Sequence, residues 1–299
     1  MNAHYNRNMT TPLFSQQYPQ NSSAFSQLVH TQVIAALNED IGSGDLTAQL
    51  IPQHQLAEAK VISRESATIC GQDWFNACFL QLDPKANIIW YVNEGEQVKP
   101  NQLLCEITGQ ARALLSAERT ALNFLQTLSA TATETRRYVE AIQGLPTAIL
   151  DTRKTIPGMR LAQKYAVTVG GGLNQRLALY DGILIKENHI ATAGGITAAL
   201  QSAFSQYPDV STQIEVENIA QLEEALESGA KSILLDNFSL AQMREAVNLN
   251  QKRAVLEASG NVNLSTVREI AETGVDRISV GSLTKHIHAV DLSMRIKMH

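Results

Sequence analysis

The sequence predicts an α/β protein in two parts: a mixed N-terminal part with a small antiparallel sheet, then an α/β barrel. Three observations carry this. Short apolar runs recur at Ala148–Leu150, Ile183–Ile185, Ile214–Val216, Ile233–Leu235, Val255–Leu256 and Ile278–Val280, with helical stretches between most of them. Strand–helix alternation of this kind builds a parallel sheet. There is also an internal echo. Glu227-Ser228-Gly229-Ala230-Lys231-Ser232-Ile233 is similar to Glu272-Thr273-Gly274-Val275-Asp276-Arg277-Ile278, each with a glycine suited to end a helix just before a strand. Repeated units favour a closed barrel over a doubly wound sheet. Finally, the texture before Gly109 differs, with β-branched and aromatic runs broken by Pro84, Gly95 and Pro100.

Taken in order, residues up to about Ser23 are rich in Asn, Gln, Ser and Tyr and read as a polar, flexible extension (1–23). A helix is predicted over Phe25–Leu37, followed by a Gly-rich loop from Glu39 to Asp45. Strands are predicted at Ala59–Ser63, Ile88–Val92 and Leu103–Ile107, with hairpin chemistry between Gly95 and Leu103. A long helix is expected to start at Ser116 as N-cap, with Ala121, Leu122, Phe124, Leu125 and Leu128 as its apolar stripe. That start puts Arg119 in the first turn, where the macrodipole disfavours a cation. A cation there suggests an anion beyond the helix end. Further on, Asn218 with Gln221 and Ser239 with Gln242 have capping-box spacing.

Composition narrows the function classes. The 299 residues are 44% hydrophobic and carry a net charge of -5, which excludes a disordered or fibrous chain and argues against a broad nucleic-acid-binding face. No apolar run approaches the ~18 residues of a membrane span. Cys70, Cys78 and Cys105 are odd in number and lack metal-ligand spacing, so neither a disulfide framework nor structural zinc is expected, and a cytoplasmic location is the default. The charge is unevenly spread. Between Asp151 and Lys186 there are six cations against two acids. Arg160 and Lys164 in that island are expected to be solvated helix residues.

In a barrel of this kind the site lies at the C-terminal ends of the strands. The predicted ends deliver Asp151 to Lys154, Lys186, Glu215 or Glu217, Asp236, Glu257 to Ser259, and Gly281-Ser282 to one face. Converging cations suit a ligand with several negative charges. Two carboxylates beside them suit a divalent cation or ribose hydroxyls. Ser259-Gly260-Asn261 and Gly281-Ser282 are small enough for backbone N–H groups to cradle a phosphate. Polyanion, magnesium and ribose together indicate a phosphorylated sugar.

Five segments resemble those of quinolinate phosphoribosyltransferase: Glu118-Arg119-Thr120-Ala121-Leu122-Asn123, Asp151-Thr152-Arg153-Lys154-Thr155-Ile156-Pro157-Gly158, Leu184-Ile185-Lys186-Glu187-Asn188-His189, Leu235-Asp236-Asn237-Phe238 and Ser279-Val280-Gly281-Ser282-Leu283-Thr284. The resemblance implies an N-terminal open α/β sandwich domain (24–122, joined by the tail 290–299) and an incomplete, about seven-stranded α/β barrel (123–289). It implies transfer of phosphoribosyl from phosphoribosyl pyrophosphate to quinolinate with decarboxylation, giving nicotinate mononucleotide, pyrophosphate and carbon dioxide. Magnesium would accompany the sugar phosphate, with no organic cofactor. Quinolinate would meet Arg119, Arg153, Gln175, Arg176 and Lys186. Phosphoribosyl pyrophosphate would meet Lys154, Lys186, Glu215, Asp236, Ser259, Gly260, Asn261, Gly281, Ser282 and Lys285. Lys154, Lys186, Glu215 and Asp236 are the expected catalytic set, and Glu215 and Asp236 would meet the metal directly or through substrate or water. A homodimer is implied, with Arg119 entering the neighbouring subunit's site. One departure stands out: Gln175 occupies a position where the family commonly has His, and glutamine cannot carry charge.

Two rival readings share the barrel: a Schiff-base aldolase using Lys186, and a non-catalytic anion-binding protein. His286 and His288 have no further ligand at metal spacing. His189 is expected to hydrogen-bond its own loop.

Overall fold

A computed structural model describes residues 12–298. In chain order these form α1 (Leu13–Gln17), α2 (Ser23–Ile41), β1 (Leu56–Ser63), β2 (Ala67–Thr68), α3 (Gln72–Leu82), β3 (Asn87–Trp90), β4 (Gln97–Val98), β5 (Leu103–Gln110) and α4 (Ala111–Ala141). Then come β6 (Ala148–Leu150), α5 (Arg160–Val169), β7 (Ile183–Ile185), α6 (Glu187–Ala193), α7 (Ile196–Gln206), β8 (Thr212–Val216) and α8 (Ile219–Glu227). The chain finishes with β9 (Ser232–Asp236), α9 (Leu240–Asn250), β10 (Val255–Ser259), α10 (Val267–Ala271), β11 (Arg277–Ser279), α11 (Ser282–Lys285) and β12 (Leu292–Met298). Contacts divide it into two compact units. One holds Phe14–Glu134, Ile156–Gly170 and the stretch from His286; the other is built on Thr135–Thr155 and Gly171–Lys285. The sequence suggested a break at 122/123. The observed break falls twelve residues later, inside the continuous helix α4.

The first unit is built on an antiparallel sheet of order β12-β1-β5-β3. Strand β1 alternates buried Ala57, Ala59, Val61 and Ser63 with more exposed residues, the period expected of a sheet covered on one face. Beside it lies a cluster of rings, with Phe25 edge-on to Trp74 at 5.6 Å and Tyr165 of α5 5.4 Å from both. Glu94 is half-buried here and caps α3, accepting from the N–H groups of Gly71 (2.7 Å) and Gln72 and from the Tyr165 hydroxyl. Burial pushes its carboxyl above the ordinary glutamate range despite those bonds.

Three expectations need correction in this unit. The polar extension does not run to Ser23. Residues 1–11 lie outside the described residues, but α1 is helical and its Phe14 is 1% exposed, packed 5.6 Å from the Tyr165 ring. One buried aromatic outweighs the polar average of its neighbours. The long helix starts at Ala111, directly after β5, because Ala-Arg-Ala-Leu-Leu are strong helix formers. Ser116 therefore sits inside α4, donating its hydroxyl to Asp45 Oδ2 at 2.7 Å, and Arg119 is two turns from the helix start and exposed. The macrodipole argument for Arg119 falls. Lys164 is fully buried rather than solvated, because α5 is covered on most of its circumference.

The second unit is the barrel. Six parallel strands take the order β6-β11-β10-β9-β8-β7, and Leu173 adds a parallel bridge to Leu150 beside β6. Ile214, Ile233, Leu235, Ala258 and Ile278 are fully buried and pack with Leu222, Ala225, Ala246 and Val267 from the covering helices. The caps read from spacing are present. The Ser239 hydroxyl accepts from Gln242 N–H while the Gln242 side chain accepts from Ser239 N–H, and Asn218 Oδ1 accepts from Gln221 N–H. Gly229 and Gly274, in the echoed segments, both adopt the left-handed conformation (φ 85° and 90°) that closes a helix.

Candidate active site

Parallel register brings the expected strand ends together. Asp236 pairs with Ser259, Val216 with Leu235, and Ile185 with Ile214, so Lys186, Glu215, Asp236 and Ser259 rise on four adjoining strands. Beyond β11 lies Gly281, and beyond β6 the loop Asp151–Lys154. The ring of chemistry read from sequence is therefore spatially contiguous from β7 to β6.

Each member has a definite local partner. Lys186 caps α6: its N–H donates to His189 Nδ1 at 3.0 Å, the loop role expected of that histidine. Its Nζ reaches Glu215 Oε2 at 3.0 Å. Glu217 lies outside β8, exposed, so Glu215 is the carboxylate on the site face. Asp236 Oδ2 accepts from Asn237 Nδ2 at 2.8 Å. Thr152 Oγ1 accepts from the Lys154 N–H, while the Thr284 hydroxyl donates to the Lys154 carbonyl at 2.8 Å. A Cβ added to Gly281 would meet Lys154 Cδ at 3.1 Å. Gly281 is thus small because the lysine stem lies over it.

The guanidiniums form a second group. Arg176 donates from Nη1 to the Gly182 carbonyl at 2.8 Å, and its Nε is buried with no hydrogen-bond partner. Burial, with the Arg153 charge nearby adding to it, pulls Arg176 below the ordinary arginine range, while Asp181 opposes the shift. Two like charges held this close suit a ligand with two negative groups. The carboxylate of Asp151, fully buried, accepts from Asn174 Nδ2 (2.7 Å) and Gln175 N–H (3.0 Å), which ties the Arg176 segment to the end of β6.

Some expected members stand apart. Gln175 Nε2 donates to Gln213 Oε1 at 2.9 Å, inside the protein. Glu257 is 1% exposed and does not reach the strand-end face, because it points into the barrel two residues below Ser259. Ser282 Oγ lies 3.5 Å from the Tyr138 hydroxyl, and Lys285 is exposed at the end of α11. Asn261 is exposed with φ +51°. Arg119 belongs to the other unit.

One residue that sequence reading passed over is Asn237. It is left-handed at φ +56°, and its side chain fills the space where a Cβ on Gly260 would lie. An asparagine directly after a strand-end aspartate, tolerant of that conformation, was the available signal.

Two carboxylates, Glu215 and Asp236, stand on neighbouring strands. Among the described residues no group of three or more His, Cys, Asp or Glu is placed to hold a metal. Two carboxylates would suit a divalent cation that draws its remaining ligands from outside the protein.

Family models for the N-terminal and C-terminal domains of quinolinate phosphoribosyl transferase match residues 45–129 and 131–295. The chain belongs to the quinolinate phosphoribosyltransferase family. Among curated relatives of this transferase, a probable nicotinate-nucleotide pyrophosphorylase [carboxylating] of Bacillus subtilis is 38% identical, over 90% of this chain and 95% of that protein. A mitochondrial quinolinate phosphoribosyltransferase [decarboxylating] of Nicotiana tabacum is also 38% identical, over 87% of this chain and 80% of its own length. The solved nicotinate-nucleotide pyrophosphorylase of Francisella tularensis superposes with a TM-score of 0.88 at 45% identity, covering 91% of this chain and 97% of the other. The fold class of the transferase is accordingly an N-terminal α/β sandwich with a C-terminal barrel.

Proposed function

We infer that this transferase moves the phosphoribosyl group of phosphoribosyl pyrophosphate onto quinolinate with decarboxylation, giving nicotinate mononucleotide, pyrophosphate and carbon dioxide for NAD synthesis. The observations that carry the reading are the closeness of Arg153 and Arg176 and the Lys186–Glu215 pair at the ends of β7 and β8. Paired guanidiniums suit a dicarboxylate, and a lysine facing acids suits a metal-bound sugar pyrophosphate.

The ring nitrogen of quinolinate attacks ribose C1, forming the C–N bond as the C–O bond to pyrophosphate breaks. Its lone pair is free, so no general base is needed. Arg153 and Arg176 hold the two carboxylates and aim the nitrogen. Lys154 and Lys186 face the charge that develops on the leaving oxygens, where fixed cations stabilise a transition state most. Glu215 and Asp236 face the ribose hydroxyls and would be the residues to hold a divalent cation, and Gly260 and Gly281 leave room for phosphate. Magnesium, bound with the sugar pyrophosphate, supplies charge neutralisation on the leaving group. After transfer the bond to the 2-carboxylate breaks, its electron pair stays on ring carbon 2 beside the cationic nitrogen, and a proton replaces the lost carbon dioxide.

Two further parts belong to the same reading. A homodimer would bring Arg119 of one protomer to the site of its partner, as a third cation for quinolinate. The transferase would act in the cytoplasm, with no nucleic-acid or membrane partner; among the described residues no helix is long and apolar enough to cross a membrane. Several plant relatives are named as mitochondrial or chloroplastic.

Release of labelled carbon dioxide from carboxyl-labelled quinolinate tests the reaction. Release is expected only with both phosphoribosyl pyrophosphate and magnesium. Equal release without the sugar pyrophosphate would overturn the proposed order.

A further inference from the structure

Below the strand-end ring the barrel interior carries a second polar layer that takes no part in the chemistry above. Gln213 precedes Glu215 by two residues on β8, and Glu257 precedes Ser259 by two on β10, so both point into the barrel by strand alternation. Both are buried. Gln213 Nε2 donates to Glu257 Oε2 at 3.0 Å, and Gln213 Oε1 accepts from Gln175 Nε2 at 2.9 Å. The direction of this chain is imposed from its buried end. A carboxyl oxygen that accepts from the Gln213 amide nitrogen turns the Gln213 carbonyl toward Gln175, and Gln175 must answer with its own amide nitrogen.

The far end of the chain is the residue before Arg176. Gln175 is held twice, by its side chain through Gln213 and by its N–H on Asp151 Oδ1 at 3.0 Å. Three strands therefore grip one segment: β6 through Asp151, β8 through Gln213 and β10 through Glu257. An apolar interior would fill the same volume without the desolvation cost of three polar side chains. What a hydrogen-bonded polar layer adds is a fixed geometry.

We propose that Glu257 and Gln213 are positioning residues which, through Gln175, fix the segment bearing Arg176 and so aim its guanidinium at a carboxylate of the pyridine substrate. The proposal rests on the reading of Arg176 as a quinolinate ligand. It reassigns Gln175 from a substrate contact to an internal strut. Glu257 acts here as the acceptor that ends the chain. Burial raises its carboxyl above the ordinary glutamate range, the charge of Asp151 adds to this, and Gln213, Ser279 and Arg277 oppose it.

The test is steady-state kinetics on the full-length enzyme with Gln213→Leu, Gln213→Asn, Glu257→Gln and Arg176→Ala. KM does not depend on the fraction of molecules folded, so partial loss of stability leaves the readout intact. Both Gln213 variants are expected to raise KM for quinolinate about tenfold, with KM for phosphoribosyl pyrophosphate within about threefold of wild type. Glu257→Gln keeps an acceptor oxygen at that place and is expected to preserve KM for quinolinate. An unchanged KM for quinolinate in the Gln213 variants, or an equal rise for both substrates, overturns the strut. If Arg176→Ala itself leaves KM for quinolinate unchanged, the reading of the site fails and the strut with it. If Arg176→Ala raises that KM and the Gln213 variants do not, only the strut fails.

Discussion

Asn237 occupies the space that a side chain on Gly260 would need. Its Oδ1 lies well inside contact distance of that position, while its N–H donates to the Ser259 carbonyl at 2.9 Å and its Nδ2 to Asp236 at 2.8 Å. The end of β9 and the loop after β10 are therefore one interlocked piece. Gly260 also sits at φ +102°, where a side chain is strained whatever the space. Gly260→Ala is expected to lower kcat about 10- to 100-fold and to cost about 1–3 kcal/mol of stability. Turnover and denaturant unfolding of the same preparation check both.

Removing one guanidinium from the pair should act on quinolinate alone. Arg153→Ala is expected to weaken quinolinate binding by roughly 1.5–3 kcal/mol, on the order of 10- to 100-fold, without a matching change for the sugar pyrophosphate. Affinity measured by titration of each substrate decides it. Wild-type affinity for quinolinate would remove Arg153 from the site.

A shared site has a signature that a self-contained one lacks. Arg119→Ala and Lys154→Ala proteins, each inactive, are expected to regain about a quarter of wild-type activity when mixed and allowed to exchange subunits, since half the dimers then contain one intact site. No recovery after verified exchange would place Arg119 in its own protomer's chemistry or in none.

The Lys186–Glu215 pair should matter for rate and little for stability. Lys186 is about half exposed, its side chain at 49%, which limits the pair's contribution to folding to about 0–1 kcal/mol. Lys186→Ala is nevertheless expected to lower kcat/KM by 10²-fold or more, roughly the loss seen when a fixed transition-state donor is deleted. Kinetics paired with thermal melting separates the two effects.

Glu257 should leave a mark on the pH dependence of stability. Its carboxyl titrates above the ordinary value near 4.5, so the folded chain holds a proton that the unfolded chain has released. In that window the folded state binds more protons, and its stability falls as pH rises. Glu257→Gln removes this contribution. The variant is expected to gain stability relative to wild type as pH rises above about 4.5, measured by denaturant unfolding across the acidic to neutral range.

Much of the barrel was legible because its signals are local. The six short strands, the Ser239 and Asn218 caps and the closing glycines Gly229 and Gly274 depend on residues a few positions apart, and each is present, with strand bounds shifted by a few residues and only the N-cap half of the box formed at Asn218. The ring from Lys186 to Gly281 followed from them, because parallel strands present their ends on one side. What escaped depends on distant partners. Nothing near Phe14 announces Tyr165, so α1 read as tail. Ser116 looked like a cap because its partner, Asp45, is seventy-one residues away. Nothing near Gln175 announces Gln213, its partner thirty-eight residues away. The interior layer is invisible in a linear reading, since Gln213 and Glu257 lie on strands that pair with β9 rather than with each other.

The way the chain is threaded has a consequence for anyone wishing to take this protein apart. After Phe14 it passes between its two compact units four times: at Glu134/Thr135, Thr155/Ile156, Gly170/Gly171 and Lys285/His286. The second and fourth passages lend α5 and β12 to the first unit's own packing and sheet. No single scission yields either unit whole, so a gene fragment ending at the family boundary near residue 130 would encode a sheet missing an edge strand and a ring cluster missing Tyr165. The two parts are modules in shape only. Neither part is encoded by one continuous stretch of chain.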